Sequence, residues 1–168
     1  MTPFQQAVNK AMQDLAKYPE TVFVGQSTCF DGAAIYHSLE GVPASKRLEF
    51  PVAENLQLGY CTGLSLTGKL PICIFPRLDF MLLALDQLVN HLDKLPGWGW
   101  KPKVIIRARI GGRNPLDAGP QHTQDHSEAF SSMLKNVIVN RIHTVSEVEA
   151  AYHLAYRAPY STLIVEAG

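Results

Sequence analysis

Glu54 is the first residue in the chain placed to do proton chemistry. It ends the segment Phe50-Pro-Val-Ala-Glu54, where a strand-like run gives way to a helical pattern. A carboxylate in the first turn of a helix is favoured by the helix dipole. The same position also aims a carboxylate into the crevice at the C-terminal edge of a sheet. The second candidate is Gln121-His-Thr-Gln-Asp-His-Ser-Glu128, in which His122 and His126 are four apart with Asp125 between them. On a helix that spacing puts both imidazoles on one face, and His-x-x-Asp-His is a loose relative of zinc-binding helical motifs. A small zinc hydrolase is therefore one function class to test, although the sequence nominates no third ligand. Histidines on a loop beside a helix start, bonded to backbone, are the structural alternative.

Other chemistries find no support. There is no Gly-x-Ser-x-Gly, and no cysteine stands in a context that lowers its pKa. The stretch from Gly63 to Gly68 lacks the lysine and serine of a phosphate loop, and no Gly-x-Gly-x-x-Gly follows a strand.

The elements that would position these residues can be read from periodicity. Thr2-Pro3 followed by Gln5 is a helix start, and Phe4, Ala7, Val8, Ala11, Met12 and Leu15 recur on one helical face up to Tyr18-Pro19. Residues 21–24 read as a buried strand closed by Gly25. Further strands are expected at 47–52, 70–75, 103–110, 136–140 and 161–166. Helices are expected at 54–66, at 80–95 with a Leu/Met core stripe, and from the capping box Thr144-Val-Ser-Glu147 to about Arg157. Strands alternating with helices predict an α/β fold, with a mainly parallel sheet of about six strands covered on both faces. Two stretches resist the pattern, the aromatic loop Leu95-Pro-Gly-Trp-Gly-Trp-Lys-Pro102 and the Gly/Pro-rich loop from Gly111 to Pro120.

The 168 residues suffice for one domain. Fifteen basic residues balance fifteen acidic ones, so the basic excess of a dedicated nucleic-acid binder is absent. The longest apolar run, 80–85, is too short to span a bilayer. Met1-Thr-Pro-Phe-Gln-Gln has no signal-peptide character. Cys29, Cys61 and Cys73 are odd in number and lack metal-type spacing, so reduced thiols in a cytoplasmic protein are expected.

Taken in order, several segments resemble the pyrimidine-binding domain of thiamine-diphosphate enzymes. The resemblance is nearest to the beta subunits of the decarboxylating component of 2-oxo acid dehydrogenases. The matching segments are Thr2, Ala7 and Ala11-Met12, then Val22-Phe-Val-Gly25, Phe30-Asp-Gly-Ala33 and Pro51-Val-Ala-Glu54. They continue with Gly59, Gly63, Gly68, Pro71-Ile-Cys73, Phe75, Phe80 and Asp86-Gln87, then Gly111-Gly112, Gln121-His-Thr-Gln124, 146–157 and Leu163-Ile-Val-Glu166. The similarity spans residues 2 to 166 in one register.

That resemblance implies roles. Glu54 matches the glutamate that bonds the cofactor's pyrimidine nitrogen and favours its imino tautomer, which generates the ylid. Phe80 matches the aromatic that stacks on the pyrimidine, with Val52 and Pro76 beside it. His122 matches a histidine that faces the substrate. Arg77 departs from the family and could meet a substrate carboxylate or phosphate, with His126 as a further substrate-side candidate. Gln26 stands where an acidic residue often follows the first strand. The diphosphate and its Mg2+ belong, in the family, to a separate domain with a Gly-Asp-Gly motif that this sequence lacks. The expectation is a single pyrimidine-binding domain over 1–168, without a diphosphate-binding or C-terminal transketolase-type domain. It would be active only with an alpha-type partner, as a heterotetramer, in 2-oxo acid decarboxylation or ketol transfer. A non-catalytic regulatory or assembly subunit of the same fold is the alternative.

Overall fold

Helix α1 (Pro3–Ala16) opens on a reciprocal cap. Thr2 Oγ1 accepts from the Gln5 N–H at 3.2 Å, and Gln5 Oε1 accepts from the Thr2 N–H at 2.8 Å. The computed structural model describes residues 1–112 and 117–168; residues 113–116, within the Gly/Pro-rich loop, lie outside the described residues. After α1 come β1 (Thr21–Gly25), α2 (Ala34–Ser38), β2 (Arg47–Glu49), α3 (Glu54–Leu66) and β3 (Leu70–Phe75). β4 (Ile105–Arg109), α4 (Ser127–Met133), β5 (Ile138–Ile142), α5 (Val145–Arg157) and β6 (Thr162–Glu166) complete the order.

The six strands form one sheet in the order β2-β1-β3-β4-β6-β5, and every pairing is parallel. The fold is the expected α/β class. Successive side chains of each strand go to opposite faces, so the central strands feed two cores. Phe23, Ile72, Ile74, Ile105 and Ile164 pack with α1 and α5. Val24, Cys73, Phe75, Ile106, Leu163 and Val165 pack with α3 and the segment that follows β3. All C-terminal strand ends share one edge. The chain leaves β1 towards β2 and then returns past it to β3, so the strand order reverses between β1 and β3. That reversal opens a crevice outside their C-terminal ends.

Several boundaries differ from the sequence expectation. β2 stops at Glu49 instead of reaching 52, because Pro51 cannot extend a ladder. β4 is shorter than 103–110, and β5 is shifted two residues onward from 136–140. The larger correction concerns 80–95. In place of one α-helix, Leu78–Ala84 is a 3-10 helix and Asp86–Leu92 a π-helix, followed by a 3-10 turn at Leu95–Trp98. The buried residues follow these pitches. Leu78, Met81 and Ala84 are three apart, whereas Leu88 and Leu92 are four apart. Leu82 and Leu83 are exposed, so Leu82 is not part of a core stripe.

Among the described residues, no helix is long and apolar enough to cross a membrane. Cys29 is exposed, Cys61 and Cys73 are buried, and all three are free thiols.

Candidate active site

Glu54 is the first residue of α3 and is only 5% exposed. A carboxylate held there by the helix dipole alone gains about 0.3–1 kcal/mol and has no reason to leave water. Its one side-chain hydrogen bond comes from Gln26, whose Nε2 donates to Oε1 at 3.1 Å. Oε2 has no protein partner, and no cation lies within salt-bridge distance, among the described residues. Glu166, another buried carboxylate at this sheet edge, is treated differently. Arg107 grips both its oxygens at 2.7 and 3.2 Å, and the Tyr152 hydroxyl donates to Oε1 at 2.7 Å.

Gln26 is placed by the turn after β1. Glu49, at the end of β2, accepts from the Ser27 N–H at 2.6 Å, the Cys29 N–H at 2.8 Å and the Thr28 hydroxyl at 3.1 Å. These bonds hold Ser27 in the left-handed region, at φ 59°, which a non-glycine residue adopts at a cost. Gly25 just before it allows β1 to close on β3, since a Cβ there would lie 2.6 Å from the Ile74 carbonyl oxygen.

A cavity of about 670 Å³ opens at the same edge. Ser27 from the turn after β1, Pro76, Arg77 and Phe80 after β3, Arg107 and Arg109 of β4, His122 and Glu166 line it. Phe4 and Val8 of α1 and Ile35 of α2 supply its apolar side. The ring of Phe80 meets His122 edge-on at 5.4 Å between centroids. Asp79 holds that pair in place, because its Oδ1 accepts from the Gln124 side chain at 2.9 Å and the Gln124 N–H at 3.3 Å. The loop carrying His122 is further tied by the Gly111 N–H, which donates to the His122 carbonyl at 3.0 Å. Any Cβ on Gly111 would overlap that carbonyl oxygen. The Arg77 guanidinium is held below the usual arginine range by burial and by the charge of Arg109, with Asp79 opposing.

The expected site residues therefore divide. Pro76, Arg77, Phe80 and His122 share one cavity wall. Glu54 does not line the cavity; it joins the wall through Gln26, the neighbour of Ser27. Val52 is 79% exposed on the loop before α3, so it lies at the surface beside Glu54. His126 turns away. Its ring meets Phe130 edge-on, and its Nε2 is buried without a partner. α4 begins at Ser127, so His122 and His126 do not share a helical face. Asp125 instead accepts from the Ser127 N–H and pairs with Arg141 at 2.7 Å. Among the described residues, no group of three or more His, Cys, Asp or Glu side chains is placed to hold a metal ion.

Sequence reasoning assigned no role to Arg107, Arg109, Asp79 or Glu49. The signal for the first two was present in Arg107-Ala-Arg109, two cations two apart at a strand's end and hence on one face. Asp79 and Glu49 act through contacts distant in sequence and leave no local signature.

Comparison with known proteins fits this geometry. The family model described as the transketolase pyrimidine-binding domain matches residues 2–167. The pyruvate dehydrogenase E1 component subunit beta of Rhizobium meliloti is 24% identical over 96% of this chain and 36% of its own. The 3-methyl-2-oxobutanoate dehydrogenase subunit beta of Mycobacterium tuberculosis is 32% identical over 76% of this chain and 37% of its own. The chain thus spans little more than a third of the length of these relatives. Among solved structures, an inactive beta4 tetramer of a split-gene transketolase superposes with a TM-score of 0.73 at 20% identity, over 98% of this chain and 50% of that one. Transketolase from Campylobacter jejuni superposes with a TM-score of 0.76 at 15% identity, over 96% of this chain and 25% of that one. These two share the fold. The match over residues 2–167 decides the family, and the chain belongs to the transketolase pyrimidine-binding domain family.

Proposed function

We propose that this chain is a single-domain, beta-type pyrimidine-binding subunit of a thiamine-diphosphate enzyme, working in the cytoplasm with a separate alpha-type chain that binds the diphosphate and Mg2+. The observation that carries the reading is Glu54, a buried carboxylate with one oxygen held by a neutral amide and the other without a partner among the described residues. Burying a carboxylate without a cation is costly, and such sites cluster where proton chemistry is done.

The residues fit an aminopyrimidine. Glu54 Oε2 has no protein partner, and the Phe80 ring stands at the cavity wall for an aromatic contact worth about 0.5–1.5 kcal/mol beyond burial. When bound, the cofactor supplies a nucleophilic thiazolium carbon for attack on a substrate carbonyl. Gln26 fixes the direction of the Glu54 carboxylate, so that Oε2 would be left to share a proton with a pyrimidine nitrogen in a site where water competes poorly. Pro76, on the cavity wall, would stand beside the ring, and Val52, exposed beside Glu54, would meet its outer side. His122 would hold or give a proton on the substrate side, with Arg77 on the same cavity wall; His126, packed on Phe130, does not line the cavity. The reaction class is 2-oxo acid decarboxylation or ketol transfer, in a two-plus-two assembly.

The test pairs this chain with a co-purifying chain that carries Gly-Asp-Gly, in thiamine diphosphate and magnesium. Glu54→Gln is expected to lower turnover by about 10²–10⁴-fold while the fold and the assembly are retained. Full turnover in that variant would reject the proposed role of Glu54.

A further inference from the structure

At the opposite edge of the sheet from Glu54, three connections enter neighbouring strands. Lys101 and Pro102 lead into β4, Pro159 and Tyr160 into β6, and Lys135 and Asn136 into β5. With Pro96 and Trp100 they enclose a concavity of about 230 Å³ that reaches down to buried Leu92. Its walls are braced from behind. Asp93 accepts from the N–H groups of Lys135, Asn136 and Val137, and the Asn136 amide donates to the Asp93 carbonyl at 2.7 Å. Gly99, at φ 87°, turns the chain so that the Trp100 N–H closes on the Leu95 carbonyl at 3.2 Å. Ser161 Oγ donates to the Pro102 carbonyl at 3.1 Å, which ties the β6 connection to that of β4. Trp98 and Trp100, the chain's two tryptophans, are nonetheless more than half exposed, and Tyr160 is exposed beside them. Large aromatic side chains fixed in the open are the usual anchors of a binding surface.

We propose that this concavity docks an acidic, proline-bearing extended segment of a partner chain. Its volume lies below the roughly 300–1,000 Å³ of sites that enclose small molecules, so it suits one anchor point on a longer chain. Pro96, Pro102 and Pro159 in its lining have no N–H, so the wall offers no continuous ladder for an added strand. The open side chains are rich in donors. The Trp100 indole N–H, the Tyr160 hydroxyl and the Lys101 and Lys135 ammoniums have no acceptor among the described residues. Neither lysine has a carboxylate within salt-bridge distance there, since Asp93 is buried and pairs with Lys94 at 2.8 Å. A polyproline-II segment is the complement of such a surface. Its carbonyls make no internal hydrogen bonds, its prolines bring no N–H to be left unpaired, and it is stiff before it binds. Carboxylates on the segment would balance the two lysines. The chain has no net charge, and two lysines do not track a phosphate backbone, which weighs against a nucleic acid.

The two tryptophans make the test specific, because all the indole emission of the chain comes from this loop. The probe is a synthetic peptide of repeated Pro-Pro-Glu, free of aromatic residues, titrated into the full chain. Tryptophan emission is expected to move to shorter wavelength and to saturate. Repeats of Pro-Pro-Lys or Ala-Ala-Glu should each bind at least about tenfold more weakly. Trp100→Ala, followed through Trp98, should weaken the acidic repeat by about tenfold or more, and Trp100→Phe by less. Lys101→Glu combined with Lys135→Glu should weaken the acidic repeat and strengthen the basic one, a reversal that misfolding does not produce. Lys10→Met, on α1, should change nothing. No saturable shift, equal affinity for the basic or the alanine repeat, or unchanged affinity in Trp100→Ala or in the lysine pair would each overturn the proposal. Tighter saturation by oligothymidylate than by the acidic repeat would assign the surface to nucleic acid and overturn it as well. If Trp100→Ala fails to fold, the charge reversal still decides. Neither cofactor nor alpha-type chain is needed, so failure here leaves Glu54 untouched, and the Glu54→Gln turnover assay reports on that role separately.

Discussion

Glu166→Gln separates what the buried ion pair does for the fold from what it does for the cavity. The Arg107 and Glu166 side chains are 6% and 2% exposed, and the guanidinium contacts both carboxylate oxygens. Arg107 also donates from Nη1 to Ser38 Oγ at 2.7 Å, which ties the end of α2 to β4. Burial opposes the charged guanidinium, but the Glu166 charge more than compensates and holds its pKa above the ordinary value. Glutamine keeps a carbonyl for one donor but turns an NH2 towards the other and removes the countercharge. Breaking one side of a buried pair costs about 3–5 kcal/mol. At about 2–4 °C per kcal/mol for a chain of this size, the melting temperature should fall by roughly 6–20 °C. Urea unfolding gives the free energy directly. Replacing the whole network, with Arg107→Met, Glu166→Leu and Tyr152→Phe together, removes every charge and the orphaned hydroxyl and should restore most of the loss. A drop below about 1 kcal/mol for Glu166→Gln would refute the argument that this pair is compensated as a unit. The same variant leaves Arg107, which lines the cavity, without its countercharge.

Two further substitutions test the supports around the site. Asp79→Ala removes the acceptor for both Gln124 donors, and it should cost about 1–3 kcal/mol and speed hydrogen exchange at the Gln124 and Gly111 amides. Unchanged exchange at Gln124 would show that the clamp does not hold the His122 loop. Asp93 accepts from the backbone N–H groups of Lys135, Asn136 and Val137 at 2.7–3.1 Å. Burial pushes its carboxyl up, but the Lys94 ammonium and those three N–H groups outweigh burial and hold it below the ordinary 3.8. A depressed folded pKa adds stability above the unfolded value and loses it as pH falls through the folded one. The parent should therefore weaken below about pH 4, and Asp93→Asn should flatten that acid limb in urea midpoints measured against pH.

Local signals were sufficient for much of the fold. The Thr2–Gln5 and Thr144–Glu147 boxes announce α1 and α5 because a cap is settled within four residues. The run Leu-Pro-Ile-Cys-Ile-Phe announces β3, because a strand buried on both faces reads as continuous apolar sequence. The segment after β3 escaped for a physical reason. Its apolar residues satisfy a helical period on average, yet the 3-10 turn spaces core contacts by three and the π turn by four. An averaged period of 3.6 hides both. α2 escaped as well, since five residues without a side-chain cap carry no periodicity. Its position is set by Asn9, which donates to three carbonyls at its C-terminal end, and by Arg107.

The site was legible one residue at a time, but not as a balance of charges. Glu54 stood out by its place between strand and helix, and His122 by its motif; neither sequence position states what surrounds the group. Gln26 looked like a departure from the family, a neutral residue where acids are frequent, and the structure gives that departure a consequence. A second carboxylate 3.1 Å from Glu54 Oε1 would repel it, whereas the amide orients the carboxylate without adding charge. Arginine surplus and carboxylate shortage then lie on separate parts of the edge. Among the described residues, Arg77 and Arg109 have no carboxylate within salt-bridge distance, although the Asp79 charge favours charged Arg77, and Glu54 has no cation within that distance. The turn fixed by Glu49 links the two: Gln26 donates to Glu54, and its neighbour Ser27 lines the cavity with Arg77 and Arg109.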